Sequence, residues 1–390
     1  MRRSLKGTRF LTTRLTRTGV NPTMVQRIYM VGAGAIARLH AKAICKEAEE
    51  GQAAAELHVT DSNPAAVADF VRQFPEAVPH GDLETMLAEP ARDDDIVIVA
   101  TPPVAHAEIA CRALASGRHA LCEKPLAVSR EEAARMLSAA RKANRLLGCC
   151  SSRFAGLPTT GRVKELLARG ELGRIYQMSW IQRRRRARSG VEYQPESRWF
   201  LRREISGGGT LMDWGPYDIA AMAETLQPVR VDVLHAWTAN PRADHPVALA
   251  APFDVEQHVG ALLQFHLADG SRLPVRYERA ACCHGEERTV TEIEGTEGGV
   301  SWDWLVFGED GELIRFGDEG GEPVRETSRL ADATPDMMDK PIVYFRRAVA
   351  GLPSRAIVGE QAVFNFGILA AIYDCARTGE AQSVELEEPR

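Results

Sequence analysis

The chain has 390 residues, of which 45% are hydrophobic and 26% charged, and a formal net charge of -5. This length suits two or three domains, and the composition is that of a globular protein. The small acidic excess argues against a general nucleic-acid binder. No apolar run approaches the about 18 residues that a membrane-spanning helix needs, so we expect no membrane partner.

Residues 24–150 are predicted to form a doubly wound parallel sheet, because short apolar strands alternate with helical segments. The predicted strands are 27–31, 56–60, 95–100, 119–122 and 146–150, and the predicted helices are 35–49, 64–74, 105–116 and 130–144. Residues 1–23 precede this pattern; they carry several arginines and no acidic residue, as transit peptides do. Because a strand begins right after Met24, we interpret residues 1–23 as a disordered extension.

Residues 151–390 are predicted to form an α+β domain with a large open, mainly antiparallel sheet, since several strands follow one another. The predicted strands are 175–182, 231–238, 259–267, 271–280, 289–294, 299–307 and 312–316, and the predicted helices are 161–169, 214–226, 341–350 and 359–378. Such a sheet must cover its second face. We expect Val259–Leu267 and Leu273–Tyr277 to carry apolar residues on that face, and therefore a homodimer or homotetramer built on sheet faces.

The first motif, Gly32-Ala33-Gly34-Ala35-Ile36-Ala37, fits G-x-G-x-x-G/A between a strand and a helix. Gly32 permits a tight turn, and Gly34 lets the backbone approach a pyrophosphate at the helix N-terminus, beside Ala35 and Ile36. Asp61 ends the second strand, where a carboxylate accepts hydrogen bonds from a ribose and repels a 2′-phosphate. The pattern therefore predicts NAD, with NADP less favoured; the alternative for Asp61 is a turn or capping residue.

The second motif, Glu123-Lys124-Pro125, directly follows a strand of the same sheet, where the carboxyl ends of strands face the ligand crevice. Lys124 can hydrogen-bond a substrate hydroxyl there, whereas an isolated lysine in a loop would simply be solvated. Thr101, Pro102 and His106 follow a neighbouring strand. We expect these three residues, with Glu123 and Lys124, to border the cofactor.

The third motif is the run GGGTLMDWGPY, residues 207–217. Asp213 and Tyr217 are four apart, so both lie on one helix face. Tyrosine can transfer a proton and aspartate can orient a partner. Pro216 favours an alternative in which Asp213 is the N-cap of the helix, and Tyr217 can also be read as a half-buried aromatic residue.

Together these residues carry a resemblance to the glucose–fructose oxidoreductase / inositol dehydrogenase (Gfo/Idh/MocA) family. The similar stretches are GAGAIARLHAKAI, TPPVAHAEIACRALASGRHALCEKPLAVS, RGELGRIYQM, GGGTLMDWGPYDIA, EIEGTEGGV and AIYDCARTGEAQSVEL. The resemblance implies an NAD(P)-dependent dehydrogenase or reductase acting on a carbon of a sugar, polyol or related compound, with Lys124, Asp213 and Tyr217 as catalytic residues.

Tyr217 stands where most members of this family have histidine, and the chain resembles the tyrosine variants. Because a phenol titrates near about 10, we expect a neighbouring cation such as Lys124 to assist it. Three alternatives stay open: an NAD-dependent glycoside hydrolase with no net redox change, a reductase of dihydrodiols or dicarbonyl compounds, and a non-catalytic sugar-sensing regulator.

Arginines supply the remaining candidates for substrate binding. Arg183–Arg186 end a strand, so alternate side chains face opposite sides, and we expect Arg184 and Arg186 to reach the substrate; the alternative is a solvated charge run. Arg153 and Trp199 are further substrate-binding candidates. The histidines have no metal-ligand spacing, and the eight cysteines form no C-x-x-C pair. The sequence therefore predicts no metal site and a reduced, cytoplasmic protein.

Overall fold

The structure, a computed structural model, describes residues 25–50, 54–185, 195–241, 253–307, 310–332 and 334–388. The expected N-terminal extension and Arg186 lie outside these residues. The strands are β1 (Gln26–Val31), β2 (Ala55–Thr60), β3 (Val78–Pro79), β4 (Ile96–Val99), β5 (His119–Cys122), β6 (Leu147–Cys149), β7 (Ile175–Arg183), β8 (Pro228–Ala239), β9 (His258–Leu267), β10 (Arg272–Ala280), β11 (Arg288–Gly295), β12 (Gly299–Trp302), β13 (Gly311–Glu319), β14 (Glu322–Leu330), β15 (Ile357–Val358) and β16 (Gln382–Glu385). The α-helices are α1 (Ala35–Glu49), α2 (Pro64–Gln73), α3 (Leu83–Leu87), α4 (His106–Ala115), α5 (Arg130–Ala143), α6 (Pro158–Ala168), α7 (Arg203–Ser206), α8 (Thr210–Leu226), α9 (Lys340–Val349) and α10 (Gly359–Thr378).

The first sheet has seven strands in the order β15-β6-β5-β4-β1-β2-β3. The pairs among β1 to β6 are parallel, which confirms the predicted doubly wound sheet. The edge strand β15 comes from near the C-terminus and pairs antiparallel with β6. Late residues of the chain thus complete the sheet that its first half begins. Helix α9 joins them there, since a Cβ on Gly148 of β6 would lie 2.5 Å from the Phe345 ring.

The second sheet has nine strands in the order β14-β13-β12-β11-β7-β10-β9-β8-β16. Its neighbours pair antiparallel except for β7 and β10, which run parallel, so the predicted mainly antiparallel sheet is confirmed. Asp269-Gly270 turns the β9–β10 hairpin, with the Gly270 N–H donating to the Leu267 carbonyl. Helices α8 and α10 contact one face of this sheet.

The predicted placement of apolar residues on the outer face of this sheet is wrong for β10. Leu273, Val275 and Tyr277 are buried at 0–2% exposure, because they face the helix-covered side. On the side away from these helices, Trp237 and Leu262 are each 41% exposed. Alternation in the sequence separates the two faces of a strand but does not say which face the helices cover.

Helix α8 begins four residues earlier than predicted. Gly209 is its N-cap and Thr210 its first residue, so Asp213 lies inside the first turn and is not the N-cap. Pro216 lies within the helix and brings no N–H to bond the preceding turn. Asp213 and Tyr217 nevertheless share one face of the helix, as the four-residue spacing predicts.

The turn after β1 depends on the small size of Gly32. Its φ is +101°, and a Cβ there would lie 2.5 Å from the Ala100 carbonyl oxygen. Glycine alone tolerates both conditions without strain. In the part of the chain that the structure describes, no helix is both long and apolar enough to cross a bilayer.

Candidate active site

The glycine turn opens directly into the N-terminus of α1. Gly34 faces open space, because a Cβ there would meet nothing within 4 Å, and Ala35 and Ile36 form the first turn of the helix. The first N–H groups of a helix lack intrahelical partners and attract anions. Asp61, after β2, accepts the Ala33 N–H at 2.8 Å, so its carboxylate lies against this turn.

The loop after β4 is tied to the loop after β5 by His106. The His106 ring is fully buried, with Nε2 2.8 Å from the Thr101 carbonyl oxygen and Nδ1 2.9 Å from that of Pro125. Burial lowers its pKa, so the ring is neutral near pH 7 and its single N–H donates to one of these two carbonyl oxygens. His106 therefore holds the two loops together, while Thr101 is partly exposed and Pro102 is exposed.

Lys124, in the loop after β5, contacts helix α8. Its Nζ lies 2.6 Å from Asp213 Oδ1 and 2.8 Å from the Asp213 carbonyl oxygen. The two side chains are only 11% and 9% exposed. The loop after β5 thus meets the first turn of α8 through an ion pair between two of the predicted catalytic residues.

Tyr217 lies one turn further along α8, but its hydroxyl points to Arg153 and not to Lys124. Arg153 Nη1 donates to the Tyr217 hydroxyl at 2.6 Å, and its Nη2 donates to Glu123 Oε1 at 2.6 Å. The Lys124 ammonium lies 5.2 Å from the centre of the Tyr217 ring. His40, on α1, contacts the same Glu123 oxygen at 2.9 Å. These contacts join five polar residues in one cluster: His40, Glu123, Lys124, Arg153 and Tyr217.

Burial and pairing set the charges in this cluster. Burial raises the pKa of Tyr217 well above its usual value, although the Arg153 guanidinium opposes this. Burial alone would also raise the pKa of Glu123, but Arg153 and His40 outweigh it and hold that pKa far below its usual value. Tyr217 is therefore a neutral phenol, and Glu123 a carboxylate, near pH 7. We expected Lys124 to lower the pKa of Tyr217, but the cation that contacts the Tyr217 hydroxyl is Arg153, and the pKa is raised.

One group of potential metal ligands lies in this cluster, although the sequence predicted none. The ligand atoms of His40, Glu123 and Cys150 lie within 4.8 Å of one another, and all three residues are buried. The Glu123 carboxylate already has the Arg153 guanidinium at 2.6 Å. A divalent ion would have to share that carboxylate with the guanidinium, so this set fits an ion pair better than a metal.

The start of α8 is held by Glu256, which sequence reasoning missed. Its carboxylate accepts the N–H groups of Gly209 and Leu211 at 2.8 and 2.9 Å and the Tyr373 hydroxyl at 2.8 Å. A Cβ on Gly209 would lie 1.8 Å from the Glu256 carbonyl oxygen. The glycine run is therefore needed for this close approach, and Glu256 caps the helix from a distant part of the chain. No local motif identifies such a residue.

The other predicted residues lie elsewhere or face inward. Glu123, predicted at the cofactor, directs its carboxylate to Arg153 and His40, and Arg153 is itself only 8% exposed. Arg184 donates to Thr289 Oγ1 at 3.1 Å on the neighbouring strand, and Trp199 stacks on Phe200 at 3.9 Å. His40 had a sequence signal, since it falls on the buried face of α1 with Ala37, Ala41 and Ile44.

Comparison with known families identifies the class of protein. Residues 26–150 match the oxidoreductase family with an NAD-binding Rossmann fold, and residues 160–301 match the GFO/IDH/MocA C-terminal domain. The chain belongs to the GFO/IDH/MocA oxidoreductase family, and its first sheet forms an NAD-binding domain. The resemblance carried by the motifs is therefore confirmed.

Curated relatives and a solved structure extend this finding. A 1-carboxy-3-chloro-3,4-dihydroxycyclohexa-1,5-diene dehydrogenase of Comamonas testosteroni is 30% identical over 201 residues, 50% of this chain and 48% of that protein. The levoglucosan dehydrogenase of Pseudarthrobacter phenanthrenivorans is 28% identical over 266 residues, 63% of this chain and 64% of that protein. The matched segments thus span about half to two thirds of these relatives. A levoglucosan dehydrogenase structure with NADH and levoglucosan has a TM-score of 0.73 at 21% identity, covering 93% of this chain and 100% of that one, and shows the shared fold.

The buried pair of Glu123 and Arg153 leads to a prediction on stability. Glu123→Gln leaves the buried guanidinium without its counter-charge, so we expect a loss of about 3 kcal/mol or more in the free energy of unfolding at pH 7. Because folding lowers the pKa of Glu123, its contribution is present above its unfolded pKa of about 4.3 and declines as pH falls below that value. Urea unfolding at pH 7 and at pH 4 measures both effects.

A matched control is Glu165→Gln, which removes an exposed i,i+3 partner of Arg162. This change should cost less than about 1 kcal/mol at either pH. Equal losses in the two variants at pH 7 would contradict a special role for the buried pair.

Proposed function

We propose that this protein is an NAD-dependent oxidoreductase that moves a hydride between the nicotinamide and a carbinol or carbonyl carbon of a sugar, polyol or related compound. The observation that carries the proposal is the Lys124–Asp213 ion pair, which joins the loop after β5 to helix α8 at 2.6 Å. It is supported by the family membership and by the levoglucosan dehydrogenase relative. We also propose the division into residues 24–150 for the cofactor and 151–390 for the substrate and for assembly.

Several features near the first sheet fit a dinucleotide. Gly34 offers open space at the N-terminus of α1, and Thr101 Oγ1 is buried without a hydrogen-bond partner among the residues described. We propose that Gly32, Gly34, Ala35 and Ile36 hold the pyrophosphate, that Asp61 holds a ribose, and that Thr101 and Pro102 border the nicotinamide. When bound, the nicotinamide supplies or accepts the hydride.

Lys124 is the proposed proton-transfer residue. In the reductive direction its Nζ donates a proton to the substrate oxygen, and in the oxidative direction the same nitrogen takes the proton back. Asp213 fixes the position of Nζ through the 2.6 Å contact and balances its charge. Because both side chains are at most 11% exposed, little bulk water weakens this interaction.

Tyr217 is the proposed hydrogen-bond donor to the same substrate oxygen. Its raised pKa keeps the hydroxyl protonated near pH 7. The hydroxyl oxygen accepts from Arg153, and its own proton has no recorded acceptor within the described part of the chain. Arg153 therefore orients the phenol while leaving that proton for a substrate.

A second candidate substrate class is the cyclic dihydrodiols. It is favoured by the tyrosine at position 217 and by the relative from Comamonas testosteroni, whose name gives a dihydroxycyclohexadiene as its substrate. A spectrophotometric screen for NADH formation over anhydrosugars, aldoses, polyols and dihydrodiols distinguishes the two classes.

We expect the catalytic roles to be visible in kinetics. Lys124→Ala and Tyr217→Phe should each lower kcat by about 10²–10⁴, because each removes a positioned proton-transfer or donor group, and should leave NAD affinity nearly unchanged. Steady-state rates on the best substrate and NAD titrations measure this. Lys142→Ala, at an exposed site on α5, is the control and should keep wild-type rates. Wild-type turnover by Tyr217→Phe would make the tyrosine a packing residue.

We expect tighter binding of NAD than of NADP, because the Asp61 carboxylate repels a 2′-phosphate. Asp61→Ala should narrow the ratio of the two dissociation constants by about tenfold or more, as measured by fluorescence titration. Asp69→Ala, on the exposed side of α2, should leave the ratio unchanged. A wild-type preference for NADP would contradict the role of Asp61.

The proposed assembly is a homodimer or homotetramer through the outer face of the second sheet, in the cytoplasm, where the eight free thiols would stay reduced. Trp237 and Leu262 are the exposed apolar residues of neighbouring strands on that face. Light scattering should give an oligomer at micromolar concentration for the wild type and for Leu352→Asp, which alters an exposed leucine in a loop. Leu262→Asp should give monomers; a monomeric wild type would overturn the proposal.

A further inference from the structure

A cavity lies beside Tyr217. Its volume is about 450 Å³, and it is lined by residues of α6, α8, α10 and the segment leading into β15. Neither Lys124 nor Asp213 lines it, whereas Tyr217 and Phe154 form part of its wall. This volume is within the range of small-molecule sites, about 300–1,000 Å³.

The polar groups of the cavity carry an excess of positive charge. Glu224 and Arg355 neutralise each other through a 2.8 Å ion pair, and the Glu224 carboxylate also accepts the Gly156 N–H at 3.1 Å. Lys164 lines the same cavity, and no ion pair or hydrogen bond is recorded for it within the described ranges. The lining therefore has one uncompensated ammonium group.

Asn365 adds a second donor without an acceptor. The residue is only 4% exposed, and its Oδ1 accepts from Gln361 Nε2 at 2.7 Å. Its Nδ2 is buried and has no hydrogen-bond partner in the part of the structure that is described. Buried donors are normally satisfied, by protein, water or ligand. An acceptor entering the cavity would satisfy this one.

We propose that this cavity is a second binding site, distinct from the catalytic crevice, for a small molecule bearing a carboxylate or phosphate group. Lys164 supplies the charge and Asn365 a hydrogen-bond donor, while the carbon skeleton packs against the Phe154 and Tyr217 rings. A bound molecule touches Tyr217, whose hydroxyl is held by Arg153 at 2.6 Å. Occupancy is therefore linked to the site of turnover; this link, unlike the binding itself, rests on the proposed function.

The test is calorimetric titration of the full chain saturated with NAD, so that the phosphate-binding turn of the first domain is occupied. Three probes share one skeleton: D-glycerate carries a carboxylate, glycerol 3-phosphate a phosphate, and glycerol no charge. We expect at least one of the two anions to bind about tenfold more tightly than glycerol or better. The anion that binds more tightly shows whether the cavity prefers a carboxylate or a phosphate.

Variants locate the binding. Lys164→Gln should weaken anion binding about tenfold, whereas Lys142→Gln, on the exposed end of α5, should not change it. Lys124→Ala should also leave anion binding unchanged, although it should lower kcat strongly. Equal or undetectable binding of all three probes would overturn the proposal. So would a loss of anion binding in Lys124→Ala with none in Lys164→Gln, which would place the ligand in the catalytic crevice.

Discussion

The rest of the site depends on the buried carboxylate of Glu123 and on the donors that surround it. Placing an ion away from water is costly unless several donors surround it, and here Arg153, His40 and the Lys124 N–H all contact it. Arg153 then reaches Tyr217 on α8. The Glu123 carboxylate thus fixes the positions of α1, the loop after β5 and, through Arg153, helix α8 relative to one another. Because these hydrogen bonds share one carboxylate, the loss of one of them should alter the geometry and strength of the others.

The second anchor of α8 acts at its N-terminus. Asp213 takes part in the ion pair with Lys124, so it is not used as a cap. Glu256 takes over that task by accepting two N–H groups of the first turn. A carboxylate at this end also interacts favourably with the helix dipole. The helix is therefore held at its start by Glu256 and along one face by Lys124 and Arg153, which sets the position of Tyr217.

The sequence was informative wherever a rule of local or topological order applied. Alternation of strands and helices gave the parallel sheet, and the rule that strand ends face a crevice placed Lys124 near a ligand site. The contact between Lys124 and Asp213 could be expected only from the family resemblance, which makes both residues catalytic. The role of Glu256, the partner of the Tyr217 hydroxyl and the covered face of β10 were not predictable, because each depends on residues far apart in the chain. The N-cap rule failed at Asp213 for the same reason.

The partner of Tyr217 gives a physical reason for tyrosine at this position. A buried guanidinium at 2.6 Å would oppose protonation of a histidine there, since two cations would lie in contact without water. A phenol carries no charge in its protonated form, accepts the guanidinium N–H, and still has a proton to donate. Lys124 near the face of the ring adds a cation that a phenol ring accommodates through its π electrons. Arg153 and Tyr217 therefore suit each other, whereas the same guanidinium would hold a histidine at this place in its neutral form.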